Sequence, residues 1–321
     1  MQQMNAAVRQ PAVKSDYVEY GGSQMLWQPY LANEVTLFGF ILKADAGSIR
    51  RQLCDPRLNN PSQGANRFEP AGSFIVLSFS TLHRLSSAAP GDNSKGWFTE
   101  RECAIWVPMI DCRRERLCWF HPYMFVDNSY AMAVGREVYG YPKSFAELAI
   151  PDEPAGARSF TLRTLAVPRY DPDAQAFPVE LIRVDRNSNA TAMRNRWDNT
   201  RTVLKELGTL FSRHGLDVHL MARMMEDLVH RRSRSVFLKQ FPDAAFPGKA
   251  CYQSIVEAQT VITEFREGEW LDDSFDIRIT RCDSHPMAAD LGLAGDRIAP
   301  VAAFFADFDF ALGNGVEIWR D

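Results

Sequence analysis

Among the ionisable side chains of this sequence, Lys143 has the most constrained local setting, directly behind Pro142 in the run GREVYGYPKS. Pro142 fixes its own φ and pushes Tyr141 toward extended backbone. Apolar, strand-like segments flank the run on both sides. A lysine amine attacks a carbonyl only when unprotonated, and with a pKa near 10.4 in water only about one in 2,500 is free at pH 7. Apolar surroundings strip the ammonium of hydration and favour the free amine, which can then form a Schiff base with an aldehyde or ketone. Taken alone, the local pattern fits better a surface lysine following a turn proline.

Other familiar chemistry is missing. There is no GxSxG, GxxxxGK[ST] or HExxH. The histidines at 83, 121, 214, 219, 230 and 285 are scattered, and His121 alone falls inside a strong strand pattern, where a satisfied core or edge histidine is the favoured reading. The cysteines at 54, 103, 112, 118, 251 and 282 form no CxxC and no zinc-like spacing with histidine, so reduced thiols and no metal are expected. No cofactor is implied. A net charge of -4 and a pI near 5.9 supply no field toward nucleic acid or an anionic membrane. The first residues, MQQMNAAVRQPAVKSDY, lack the order of a secretion signal, and no apolar run reaches the roughly 20 residues of a membrane helix. A cytoplasmic protein is expected.

The elements around Lys143 read mostly as strands. EVTLFGFILKA, GSFIVLSFSTLHRL, WFTERECAIWVPMID, RLCWFHPYMFV, SFTLRTLAV, YQSIVEAQTVITEFRE and SFDIRITRCD are rich in β-branched and aromatic residues. SIRRQLCDP reads as a short helix capped by Ser48 and ending before Pro56. DNSYAMAVGREVYG reads as a helix opening at Asp127 or Asn128 and closing at Gly140. So many strands with little helix between them predict a mainly β (α+β) fold of antiparallel sheets curled into a barrel or sandwich. Residues 1–25 are expected to be a flexible arm, and 26–321 the β domain. An inserted helical hairpin is expected at about 184–232, with Val203, Leu207 and Leu210 on one face and Met221, Met225 and Leu228 on another. Acidic residues interrupt its basic ones, so a solvated face rather than a nucleic-acid surface is expected there.

The run FVDNSYAMAVGREVYGYPKS resembles the signature segment of the acetoacetate decarboxylase family, in which a DN, an A(V/I)GRE and a YPK stand at this spacing. The resemblance extends to GWFTERECAIWV, to IRRQLCDPRL and to the strands near the C-terminus, covering most of 33–165 and 236–321. It implies a cone-like β-barrel, Lys143 as the Schiff-base residue and Glu100 as an active-site acid. Tyr141 and Phe125 are then expected in the substrate pocket. It also implies a small-molecule carbonyl substrate, a keto acid or a relative of one, and a homo-oligomer. Arg136 and Glu137 are expected to form an ion pair holding the lysine's loop, and Glu100 has Arg101 or Arg84 as alternative partners.

The departures are as informative. The decarboxylases carry a second lysine where this chain has Ser144. Their arginine and second glutamate fall near Val35 and Ser78, with Glu34 within a slip of register. Aldolase–dehydratase or related lyase chemistry therefore fits better than acetoacetate decarboxylation. A non-catalytic binder of a small ligand on the same fold is the alternative.

Overall fold

The strands form where β-branched and aromatic residues are dense, and several read as nearly continuous apolar runs because both of their faces are buried. A computed structural model describes residues 16–19, 26–187, 195–197, 231–271 and 275–321. In chain order the strands are β1 (Tyr30–Lys43), β2 (Phe68–Pro70), β3 (Phe74–Ser87), β4 (Trp97–Asp111), β5 (Arg116–Val126), β6 (Lys143–Phe145), β7 (Glu147–Ala149), β8 (Ser159–Ala166) and β9 (Phe177–Arg186). They continue as β10 (Asn195–Trp197), β11 (Arg232–Pro242), β12 (Ala250–Leu271), β13 (Phe275–Ile279), β14 (Arg297–Ile298), β15 (Ala302–Leu312) and β16 (Val316–Arg320).

Strands β4, β3, β1, β15, β12, β11 and β5 hydrogen-bond in that order, and β4 pairs with β5 to close the ring. All of its joints are antiparallel except β5–β11, a short parallel contact at Trp119–Ser235 and Phe120–Val236. The mainly β reading therefore holds. A second sheet, β14-β13-β9-β8-β7, packs against the outside of this ring. Phe38 and Phe40 of β1 and Phe79 of β3 meet Phe160 of β8 at ring-centroid distances of 5.0, 5.3 and 5.2 Å in the first of two buried apolar clusters. The second cluster, with Val35, Leu82, Val134, Tyr139 and Phe237, lies at the ring's interior.

Two helical readings change. The helix after β1 begins as α1 (Ala46–Ser48), and Asp45, not Ser48, caps it, its Oδ1 accepting from Ser48 N at 2.6 Å. It runs on with the wider π spacing through Ile49–Asn59, so Pro56 lies inside it; the wider turn gives the proline ring room. At the other end of the expected insertion, residues 184–186 belong to β9, paired with β13, and β11 begins at Arg232. Inside the expected insertion Asn195–Trp197 form β10, paired with β12 and not helical, while the rest of the expected hairpin falls outside the described residues, as does most of the 1–25 arm. No helix among the described residues is long and apolar enough to cross a membrane.

Candidate active site

The stretch of chain from β4 to β6 builds the site almost by itself. After β5 the chain enters α2 (Ser129–Val134), whose cap is Asn128: its Oδ1 accepts from Tyr130 N at 2.8 Å and Ala131 N at 3.2 Å. The Asn128 amide also donates to Thr99 O at 3.0 Å, and Asp127 Oδ1 accepts from Arg101 N at 2.9 Å. The DN pair thus grips β4 on both sides of Glu100 and ties that glutamate's strand to the helix leading to the lysine.

The helix ends in a π turn, Gly135–Tyr139, closed by Gly140 at φ 90. A side chain at Gly140 would be strained there and would also collide with the backbone of Lys239. Tyr141 N then bonds back to Gly135 O at 3.0 Å, and Lys143 N to Tyr141 O at 2.8 Å, forming a three-residue turn centred on Pro142. Arg136 Nη1 donates to Lys143 O at 3.1 Å. Arg136 therefore holds the lysine's own backbone instead of making the expected ion pair, and Glu137 accepts from the Tyr17 hydroxyl. Gly135 serves a second purpose: a Cβ there would lie 2.6 Å from Lys143 Cδ. The lysine's methylene chain runs over the bare glycine.

Lys143 reaches into the ring and donates from Nζ to Glu100 Oε1 at 2.6 Å, with 8% of the lysine and 1% of the glutamate exposed. Glu100 is therefore paired with Lys143. Arg84 stacks on Trp97, and both Arg84 and Arg101 are exposed. The pair stands in a cavity of about 120 Å³ inside the ring, lined by Tyr141, Met124, Leu82, Val35, Val134 and Phe308 among others. The Tyr141 ring centroid is 5.5 Å from Nζ. Phe125 is not in this wall: its neighbour Met124 pairs with Lys143 and faces the cavity, while Phe125 joins the outer apolar cluster. Successive strand residues point to opposite faces, so the expectation for Phe125 was wrong by one position.

Three polar lining residues had no place in the sequence-based site. Glu102, two residues beyond Glu100 on β4, shares its inward face, and loss of water together with the Glu100 charge pushes its carboxyl up to about 7. His121 is fully enclosed between Trp106, Phe237 and Tyr141, with Nε2 3.1 Å from Ser235 Oγ and Nδ1 without a hydrogen-bond partner. Desolvation and the Lys143 charge hold it neutral, its pKa down to about 3. The buried Ser80 hydroxyl is likewise unpartnered. Strand period could have found Glu102; nothing local marks His121 or Ser80. Of the positions where the family's other charges were expected, Val35 faces the cavity and Ser78 accepts from the Trp106 indole at 2.7 Å. Glu34 sits exposed at a bulge of β1. Among the described residues no group of three or more His, Cys, Asp or Glu is arranged to hold a metal ion.

The acetoacetate decarboxylase family model matches residues 71–164, the segment that carries Glu100, Glu102, His121 and Lys143. No curated relative matches the sequence. Acetoacetate decarboxylase from Legionella pneumophila has a similar fold, with a TM-score of 0.59 at 13% identity over 91% of this chain and 88% of that one. So do an acetoacetate decarboxylase-like enzyme from Sphingomonas wittichii RW1 (0.53, 14%, 95% and 99%) and the enduracididine biosynthesis enzyme MppR complexed with pyruvate (0.52, 14%, 91% and 91%). The family match thus covers one segment of the chain, and the solved structures share its fold.

Proposed function

We propose that this protein is a Schiff-base-forming lyase that acts on a small carbonyl compound through Lys143. The observation that carries the reading is the buried Lys143–Glu100 pair, 2.6 Å apart in an otherwise largely apolar cavity. Leaving two charges inside a protein is costly unless they are well paired, and well-packed apolar residues would often be at least as stable. A pair that faces a cavity suits proton transfer.

The Lys143 ammonium passes a proton to Glu100, and the freed Nζ adds to the carbonyl carbon. The carbonyl oxygen takes that proton from Glu100. Glu100 then removes a proton from nitrogen and returns it to the hydroxyl, which leaves as water. Glu100 ends as a carboxylate beside an iminium cation. That cation draws electrons from the neighbouring bonds, so a C–C bond can form or break, or a β-hydroxyl can leave. Tyr141 walls the reacting carbon and presents its ring to the cation.

Borohydride reduction in the presence of simple aldehydes, ketones and keto acids tests the reading. The expected result is a stable adduct mapping to Lys143 and absent from Lys143→Ala. Failure of every compound to form an adduct, with the protein folded, would return the chain to the class of non-catalytic binders.

A further inference from the structure

The ionisable groups facing the cavity are unbalanced. Lys143 is the one cation among the described residues lining it, whereas β4 contributes two carboxyl groups, Glu100 and Glu102, from the same face. Once an iminium has formed, its single positive charge is matched by Glu100. A substrate carboxylate would be a further anion in a pocket where Glu102 already stands beside that pair, and in low dielectric unpaired like charges repel strongly.

The remaining hydrogen-bonding groups are uncharged. His121 Nδ1 and Ser80 Oγ are buried, lack partners, and belong to residues lining the cavity. Groups of this kind cost stability unless something occupies them. A neutral oxygen, such as a hydroxyl or second carbonyl, satisfies them without adding charge. At about 120 Å³ the cavity limits the occupant to a small molecule.

We infer that the substrate is a small neutral carbonyl compound with a second uncharged oxygen, and that Glu102 is the residue that turns keto acids away. This rests on the Schiff-base reading of Lys143. It names a substrate class different from the keto acid that the family resemblance suggests.

The groups around Glu102 make its charge separable from theirs. They are Glu100 and Cys103 on its own strand, His121 on β5, Lys143 on β6 and Tyr141 in the turn before it. His121 stays neutral down to about pH 3, and burial pushes Cys103 and Tyr141 well above their usual ranges. Between pH 6 and 8 these three hold their charge while Glu102 loses its proton.

The test compares borohydride trapping of 3-hydroxybutan-2-one, a neutral ketone with a second uncharged oxygen, with that of pyruvate, its near-isostere bearing a carboxylate. Each rate is divided by the rate with Nα-acetyl-lysine under the same conditions. At pH 8 the wild-type ratio should favour the ketone at least tenfold, and the preference should shrink as the pH is lowered to 6. Glu102→Gln should move the ratio toward pyruvate by about tenfold; the pH series on the wild-type chain tests the same point without a substitution. Pyruvate trapped on Lys143 as fast as the ketone, relative to the reference amine, overturns the inference and leaves the Schiff base standing. A ratio that neither the substitution nor pH alters overturns the role of Glu102. Adducts from neither compound overturn the Schiff-base reading and this inference with it.

Discussion

The two faces of the ring strands are built on opposite terms. On the outside, Phe38, Phe40 and Phe79 close on Phe160 and Phe275 of the second sheet, all of them fully or almost fully buried. On the inside, the same strands present Val35, Leu37, Ser80, Glu100 and Glu102 around an open space. One face gains its free energy from dense apolar contact. The other forgoes packing and holds charged and unpartnered polar atoms. Because strand residues alternate, a single residue step such as Leu37 to Phe38 crosses from cavity to solid core. The outer face supplies the stability that lets the inner one remain hollow.

The contrast breaks most sharply on the outer face. Phe160→Ala should cost about 3–5 kcal/mol, read from denaturant unfolding, because its ring fills the space between the sheets. The rate of adduct formation at Lys143, per folded molecule, should stay within about threefold; a much larger fall would mean that the two faces are not independent. The converse change is Gly135→Ala, which adds one methyl group where the Lys143 side chain passes. Trapping should slow by about 10- to 100-fold with little loss of stability, since misplacing a reacting group by about an ångström has effects of that order. Unaltered trapping would show that the lysine reaches its position without the glycine.

A smaller effect concerns pH. The Glu102 carboxyl has a folded pKa of about 7, above its ordinary 4.5, so the folded chain binds this proton more tightly than the unfolded chain. The associated stability is fully present below about pH 4.5 and is lost as pH rises through about 7. Glu102→Gln should therefore unfold at a temperature a few degrees above wild type at pH 8, with the gap closing at pH 5. An equal gap at both values would remove the carboxyl from the cavity's charge balance.

Much of the site is legible in the sequence because its residues lie in one short, gapless run. The DN, GRE and YPK elements each have a mechanical role. The first grips β4, the second bares a path for the lysine and fixes its backbone, and the third turns the chain into β6. Lys143 lies in that run, and Glu100 in the strand that the DN pair holds. Glu102 escapes a motif that marks only Glu100, although a strand's two-residue period puts it on the same face. Phe125 fails for the same reason in reverse, since composition does not set the register of a strand buried on both sides. His121 and Ser235 meet, and Phe237 stacks on the same imidazole, across a gap in sequence that no local pattern reveals. In the helix after β1, Pro56 reads as a terminator, and the wider turn that accommodates it leaves no mark in the composition.

The glutamates, the capping asparagine and the lysine all lie between Trp97 and Phe145, in elements that are consecutive in the chain. Contacts between nearby residues close short loops and so lose less chain entropy than the joint of β1 with β15. The Lys143–Glu100 pair is thus expected to assemble before the ring shuts. In pulse-labelled hydrogen exchange during refolding, the amides of Arg101 and Lys143 should be protected ahead of those in β15. The chemistry would then be set early, and the late closing strands would serve to shut water out of it.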